Sequence, residues 1–384
     1  MKTRNLLFLL LAMILTGTCA YRGVLKTRRG NMPEQVGRAL FDDLPVNEVA
    51  AIVIETPHTN LVVRRAGETW VVAGRYDYPA KFEKVAYTIR GLRDLKVGQV
   101  VPGGDQRLGE LQLLEPGPEN PVDQQASRLE LRDGSDRALA NVLIGRHFIV
   151  RPQGDRQAMM GGGYPAGHYL RLPDGTVIIV GQTLDRMIET AEGWLDETFV
   201  TAAAASLREI SVSGPEREEI VVSRAPDSNK LILKDLTPEE GLPDDARLSS
   251  LFGGLNYLSF RDVADPALPP ATTGLDDPIV LKAQVGDGLC YIMKIGAQVD
   301  NGADRYVAVD VEYKDMAGDE SDDSEASADE RRKQAAELHA RLSPWIYILG
   351  SHRLEPLLRT RAELIKDAPP AGAGDDETID EDEV

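Results

Sequence analysis

One pattern is written twice in this chain, and any fold it adopts has to accommodate both copies. Ile52-Val53-Ile54, Leu61-Val62-Val63 and Trp70-Val71-Val72 are short, β-branched apolar runs separated by the turn residues Pro57, Asn60 and Gly67. Such spacing predicts a three-stranded meander. From Leu207 the same order returns as Ile210-Ser211-Val212, Ile220-Val221-Val222 and Leu231-Ile232-Leu233, displaced by 158, 159 and 161 residues. A helical pattern follows each meander. Val85, Ile89, Leu92 and Leu95 share one face of the first helix, and Leu248, Phe252, Leu255 and Leu258 share one face of the second, every pair displaced by 163.

The later half of each copy corresponds more loosely. Arg128 to Gly145 and Ile279 to Gly296 read as hairpins with the turns Asp133-Gly134 and Gly286-Asp287-Gly288, and both end in Ile-Gly. Further strand signals lie around Tyr169-Leu170 and Tyr306-Val307, and Trp194-Leu195 and Trp345-Ile346 close the two copies at an offset of 151. Strands joined by short turns make antiparallel sheet. The expected fold is therefore α+β, with two tandem repeats over residues 46–205 and 206–366. Each is an antiparallel sheet of meander, helix and hairpins, with the helix packed on one face. Residues 26–45 read as a polar linker, and helices are expected over Glu330 to Leu342 and Arg353 to Lys366.

At 384 residues the chain has the length of two or three domains. Its net charge of −19 is concentrated: Asp315 to Glu330 carries eight acidic residues and no basic one, and Asp375 to Glu383 carries seven more. The insert 315–330 and the tail 367–384 therefore read as solvated, disordered acidic segments, since high charge with few apolar residues cannot offset ordering entropy. The remaining body is only mildly acidic. Nucleic acid is excluded as a partner, because phosphate binding needs a basic stripe and none is written here.

The N-terminus gives the address. Lys2 and Arg4 precede the apolar run Leu6 to Leu15, and the small residues Thr16 to Ala20 follow it, the order of a secretory signal. Three fates remain open for residues 1–25: cleavage after Ala20, retention as a membrane anchor interrupted by Arg22, or lipidation at Cys19, where Thr at both key flanking positions fits poorly. All three place the body in the cell envelope, on the periplasmic side of the inner membrane.

Chemistry-bearing patterns are sparse. The five histidines, His58, His147, His168, His339 and His352, form no pair at metal-ligand spacing along the chain, so no metal and no cofactor is expected. Cys290 sits in the strand-like Leu289-Cys290-Tyr291, which points to a buried inert thiol. Asp300 to Asp304 lacks the ligand alternation of a calcium loop and reads as a hairpin turn. No catalytic residue is expected. The one unusual segment is Met159-Met160-Gly161-Gly162-Gly163-Tyr164, which reads first as a long hairpin loop and, second, as an adaptable contact surface for a partner or ligand.

Several short segments, in order, resemble the bacterial family labelled domain of unknown function 4340. They are Glu68 to Val72, Tyr78-Pro79-Ala80 entering the helix, Gly193 to Asp196, Gly274 to Pro278 and Leu338 to Tyr347. The resemblance covers roughly residues 5 to 366. It implies a single N-terminal membrane segment, an extracytoplasmic body and an accessory role beside ABC-type transport systems of the gliding-motility kind. It supplies no catalytic residues. The expected function is a non-enzymatic accessory or scaffold subunit of such an assembly, partnered by membrane-embedded transporter components. The alternative is a periplasmic solute-binding or sensing module with its ligand between the two repeats.

Overall fold

The computed structural model describes residues 36–41, 43–151, 163–200, 202–215, 217–225, 228–237, 239–256, 258–286, 288–300, 302–314 and 324–366. The chain divides into two units between Asp196 and Glu197, nine residues before the boundary expected from the sequence. Each unit is built on one antiparallel sheet, of nine strands in the first and eight in the second, with few helices. The chain is thus α+β and mostly β.

In the first unit the strands are β1 (Val49–Glu55), β2 (Asn60–Ala66), β3 (Thr69–Val72), β4 (Tyr78–Pro79), β5 (Gln99–Val100), β6 (Ser127–Asp133), β7 (Ala138–Val150), β8 (Tyr164–Arg171) and β9 (Val177–Val180). Their order across the sheet is β4-β3-β2-β1-β6-β7-β8-β9-β5. Three successive residues of β1, Ile52, Val53 and Ile54, are buried. Successive side chains point to opposite faces, so this central strand is covered on both. Helix α1 (Phe82–Asp94) buries Val85, Ile89 and Leu92, three of the four positions that its period marked, and Leu95 is buried just past its end. The buried Lys84 of this helix donates to the Gly193 carbonyl at 2.9 Å and pairs with the Glu189 carboxylate, 4.7 Å above the Trp194 ring centroid.

In the second unit the strands are β10 (Leu207–Gly214), β11 (Arg217–Arg224), β12 (Leu231–Leu233), β13 (Asp262–Ala264), β14 (Ile279–Val285), β15 (Leu289–Gln298), β16 (Arg305–Tyr313) and β17 (Ile346–Leu349). Their order is β12-β11-β10-β14-β15-β16-β17-β13. Helix α2 (Asp245–Gly253) starts on Asp244, whose carboxylate accepts from the Ala246 and Arg247 amides, a cap for otherwise unpaired donors. Leu248, Phe252, Leu255 and Leu258 are all buried, although the helix stops at Gly253.

Each unit carries strands that the sequence did not announce. Strands β4, β5 and β13 have only two or three residues, too few to write a period, and β9 is a run of four buried apolar residues without alternation. Three expectations are corrected. Arg353 to Lys366 is not one helix but a turn of α-helix at Ser351–Leu354 and 3-10 turns at Glu355–Leu357 and Ala362–Leu364. Pro356 has no amide to continue the ladder, and the Glu363 carboxylate takes the Thr360 amide and hydroxyl at 2.7 and 2.8 Å, starting a new turn. The acidic insert is helical in its second half, since helix α3 runs from Ser324 to Leu342. Good helix formers and the 3.0 Å pair Asp329–Arg332 favour that. The two tryptophans hold different places: Trp194 ends a 3-10 turn and is fully buried, whereas Trp345 precedes β17.

Among the described residues no helix is long and apolar enough to cross a membrane. The leader 1–25, most of the linker and the tail 367–384 lie outside those residues.

Candidate functional site

The longest strand pair of the first unit, β7 with β8, carries the molecule's densest group of metal-ligand side chains among the described residues. Beyond Ile144 on β7 and His168 on β8 the two strands pair only with each other, making a two-stranded extension. At its base His147 and His168 face each other as a cross-strand pair, with ring centroids 4.3 Å apart. His147 lies within β7. Asp185, on the 3-10 turn Asp185–Met187 that follows β9, closes the group.

The backbone under this pair is held by close packing. A Cβ on Gly145 would stand 2.4 Å from the Leu111 carbonyl oxygen, and one on Gly167 would stand 1.7 Å from that of Val180. Only glycine lets the segment carrying Leu111 and the end of β9 come so near to the hairpin. Leu111, Leu113, Ala126, Leu143 and Val177 form an apolar cluster beneath it.

The hydrogen bonding fixes protons. His168 is 2% exposed and its Nδ1 donates to the Gly145 carbonyl at 2.9 Å, for a carbonyl can only accept. Its Nε2 is buried without a hydrogen bond and stands 3.5 Å from Asp185 Oδ1. Nε2 of His147 lies 2.9 and 3.0 Å from the two Asp185 oxygens and donates to them. Partial burial pushes the Asp185 carboxyl up, but the His147 hydrogen bond and the nearby imidazoles outweigh it and hold it below the usual carboxylate range. The three side chains form one wall of an open cleft of about 620 Å³, which His58, Gln112 and Asp123 also line.

Neither the pairing nor the cleft was legible along the chain. His147 and His168 are brought together by hairpin register, and Asp185 by the turn after β9; a register worked out from the hairpin's ends was the one signal available for the first two. Of the segment singled out from the sequence, Met159, Met160, Gly161 and Gly162 lie outside the described residues. Gly163 precedes β8, and Tyr164 opens it, 57% exposed and paired with Val150. Cys290 is buried within β15, and burial pushes its thiol up.

A family model described as Domain of unknown function (DUF4340) matches residues 70–278, more than half of the chain. No curated protein and no solved structure matches it.

Proposed function

We propose, from the premise that this chain belongs to the DUF4340 family, that it is a tandem duplication of one module serving as a non-enzymatic, extracytoplasmic accessory subunit of an ABC-type envelope transport assembly. Correspondence of register supports the duplication. Ile52 stands between Val63 and Leu131, with Val72 and Ala140 next outward; Ile210 stands between Val222 and Ala283, with Leu233 and Tyr291 next outward. Toward the other edge, Ile144-Leu170-Ile178-Val100 is answered by Ile295-Val307-Tyr347-Val263. Bridges Ala80–Leu195 and Pro243–Ile365 tie the start of each helix to a closing 3-10 turn. On this alignment the partner of Trp194 is Leu364, not Trp345.

The observation that carries the accessory role is the two-stranded extension of β7 and β8. It exposes Ile149 and Tyr164 by 46% and 57%, apolar surface on an element that pairs with no third strand among the described residues. Association through sheet edges has less support, since the outermost strands have only two or three residues and offer little ladder to a partner strand. The leader sequence supports the envelope location. Mild crosslinking in the native host, followed by purification, should recover a membrane transporter component, and Ile149→Lys with Tyr164→Lys should reduce the yield. A topology reporter fused after Val384 that reads cytoplasmic, or wild type crosslinking to no such component, would overturn the reading.

A second reading, a solute-binding or sensing module, draws support from the cleft beside His147, which lies within the first unit. A small molecule retained in native mass spectrometry and lost on substitution of Gln112 would favour it.

A further inference from the structure

The proton arrangement around His168 leaves a gap that a cation would fill. With Nδ1–H committed to the Gly145 carbonyl, neutral His168 presents a lone pair at Nε2. That lone pair is buried and faces Asp185 Oδ1 at 3.5 Å, an atom that is itself an acceptor only. Two acceptors confronting each other at 3.5 Å, one of them shut away from water, repel unless positive charge lies between them. A second proton on His168 would serve electrostatically, at the cost of placing an imidazolium in a buried position.

A metal ion answers the same demand with better use of the geometry. For metal–donor bonds of about 2.0–2.1 Å, the donors of a tetrahedral site stand about 3.3 Å apart. Here His147 Nε2 lies 2.9 Å and His168 Nε2 lies 3.5 Å from Asp185 Oδ1, and no two donor atoms of the three residues are more than 4.8 Å apart. The orienting partner is also in place, because an imidazole that binds metal through one nitrogen usually donates the other N–H to a carbonyl or carboxylate. His168 already does this toward Gly145, on a strand clamped by the Leu111 carbonyl.

We propose that His147, His168 and Asp185 bind a divalent first-row transition-metal ion of the zinc type, with its remaining position open to the cleft. Two imidazoles and one carboxylate suit zinc, cobalt, nickel or iron(II) rather than calcium or magnesium, which prefer all-oxygen shells. Binding takes the Nε2 proton of His147, which the ion displaces and releases to solvent. Asp185 and His147 are 54% and 40% exposed at the side chain, so an ion held by them reaches solvent, and three protein ligands leave a place for water or an anionic group. This site is independent of the accessory role proposed above.

The test uses the full chain, stripped with a chelator and titrated with Co²⁺ alone. Wild type should take up a single equivalent with the intense visible spectrum of four-coordinate cobalt, displaced by Zn²⁺. The exposed substitutions Asp185→Asn and His147→Gln, which spare the core, should each weaken that uptake by at least about tenfold while thermal unfolding of the stripped protein stays close to wild type. His168→Gln should abolish the spectrum. Absence of saturable uptake by wild type would overturn the proposal. Uptake with unchanged affinity in both exposed variants, or with the weak spectrum of six-coordinate cobalt, would also overturn it, pointing to the acidic segments instead.

Discussion

Gly145 and Gly296 each stand where another piece of chain crosses the sheet at contact distance. A Cβ at Gly145 would lie 2.4 Å from the Leu111 carbonyl oxygen, and one at Gly296 would lie 2.1 Å from that of Thr273. The residues following those carbonyls, Gln112 and Gly274, both have positive φ, +56° and +68°. Backbone atoms cannot swing aside as a side chain can, so Gly145→Ala and Gly296→Ala should each lower unfolding free energy by about 1–3 kcal/mol. Gly134→Ala, with nothing within 4 Å of its Cβ, should change it by less than about 0.5 kcal/mol. Urea unfolding of the three variants checks this, and equal effects at all three would refute it. The repeated Ile-Gly was visible in the sequence, but its reason was not, because the crossing segment is more than twenty residues away along the chain. The same holds for His147, His168 and Asp185: residue types are written in order, whereas their convergence depends on register and on the turn after β9.

Both long-range helix positions are set from their N-terminal ends. The Lys81 amide donates to the Trp194 carbonyl at 2.8 Å before α1, and the Asp244 amide donates to the Leu364 carbonyl at 2.9 Å before α2. In the second unit that closing turn is held in place by Arg361, whose guanidinium is 8% exposed and donates to the Glu240 carboxylate at 2.7 Å and to the Asp235 carbonyl at 2.7 Å. The Arg361 hydrogen bond, with those from the Thr237 amide and hydroxyl, holds the Glu240 carboxyl down at about 2. A carboxyl depressed on folding adds stability that is complete above its ordinary value of 4.5 and is lost as pH falls from there toward about 2. Wild type should therefore exceed Glu240→Gln in stability at neutral pH, and the difference should shrink through that acid window. Denaturant midpoints measured against pH test it, and a pH-independent difference would count against the pair. Of the elements themselves, the meander strands, both helices and the two hairpins were legible from period and turn residues. The two-residue strands β4 and β5 and the three-residue β13 were not, and the closing turn around Leu364 was mistaken for a helix because its apolar spacing is helical while Pro356 breaks the backbone.

At the scale of the whole chain, each unit has its own sheet and its own buried interior. Residues 36–196 and 197–366, produced separately, should each keep slowly exchanging amides in the central strands β1, β6 and β7 or β10, β14 and β15. Hydrogen exchange read by mass spectrometry decides this, and a fragment that exchanges like an unfolded chain would show that its sheet requires the other half. Two-unit organisation was the most legible property of the sequence, because four apolar positions of each helix share one displacement, a signal that survives changes in loop length. The boundary was placed nine residues late, since Leu195 and the residues after it carry no turn signal. The pairing of β5 with β9, the bridge from Ala80 to Leu195 and the hydrogen bond from the Asp196 amide to the Pro79 carbonyl are the last contacts of the first sheet, and all of their residues precede Glu197. A ribosome therefore releases every strand needed to seal the first sheet before the first strand of the second emerges. Vectorial synthesis thereby keeps two sequences with the same strand order from lending strands to each other, a hazard that simultaneous refolding from denaturant would restore.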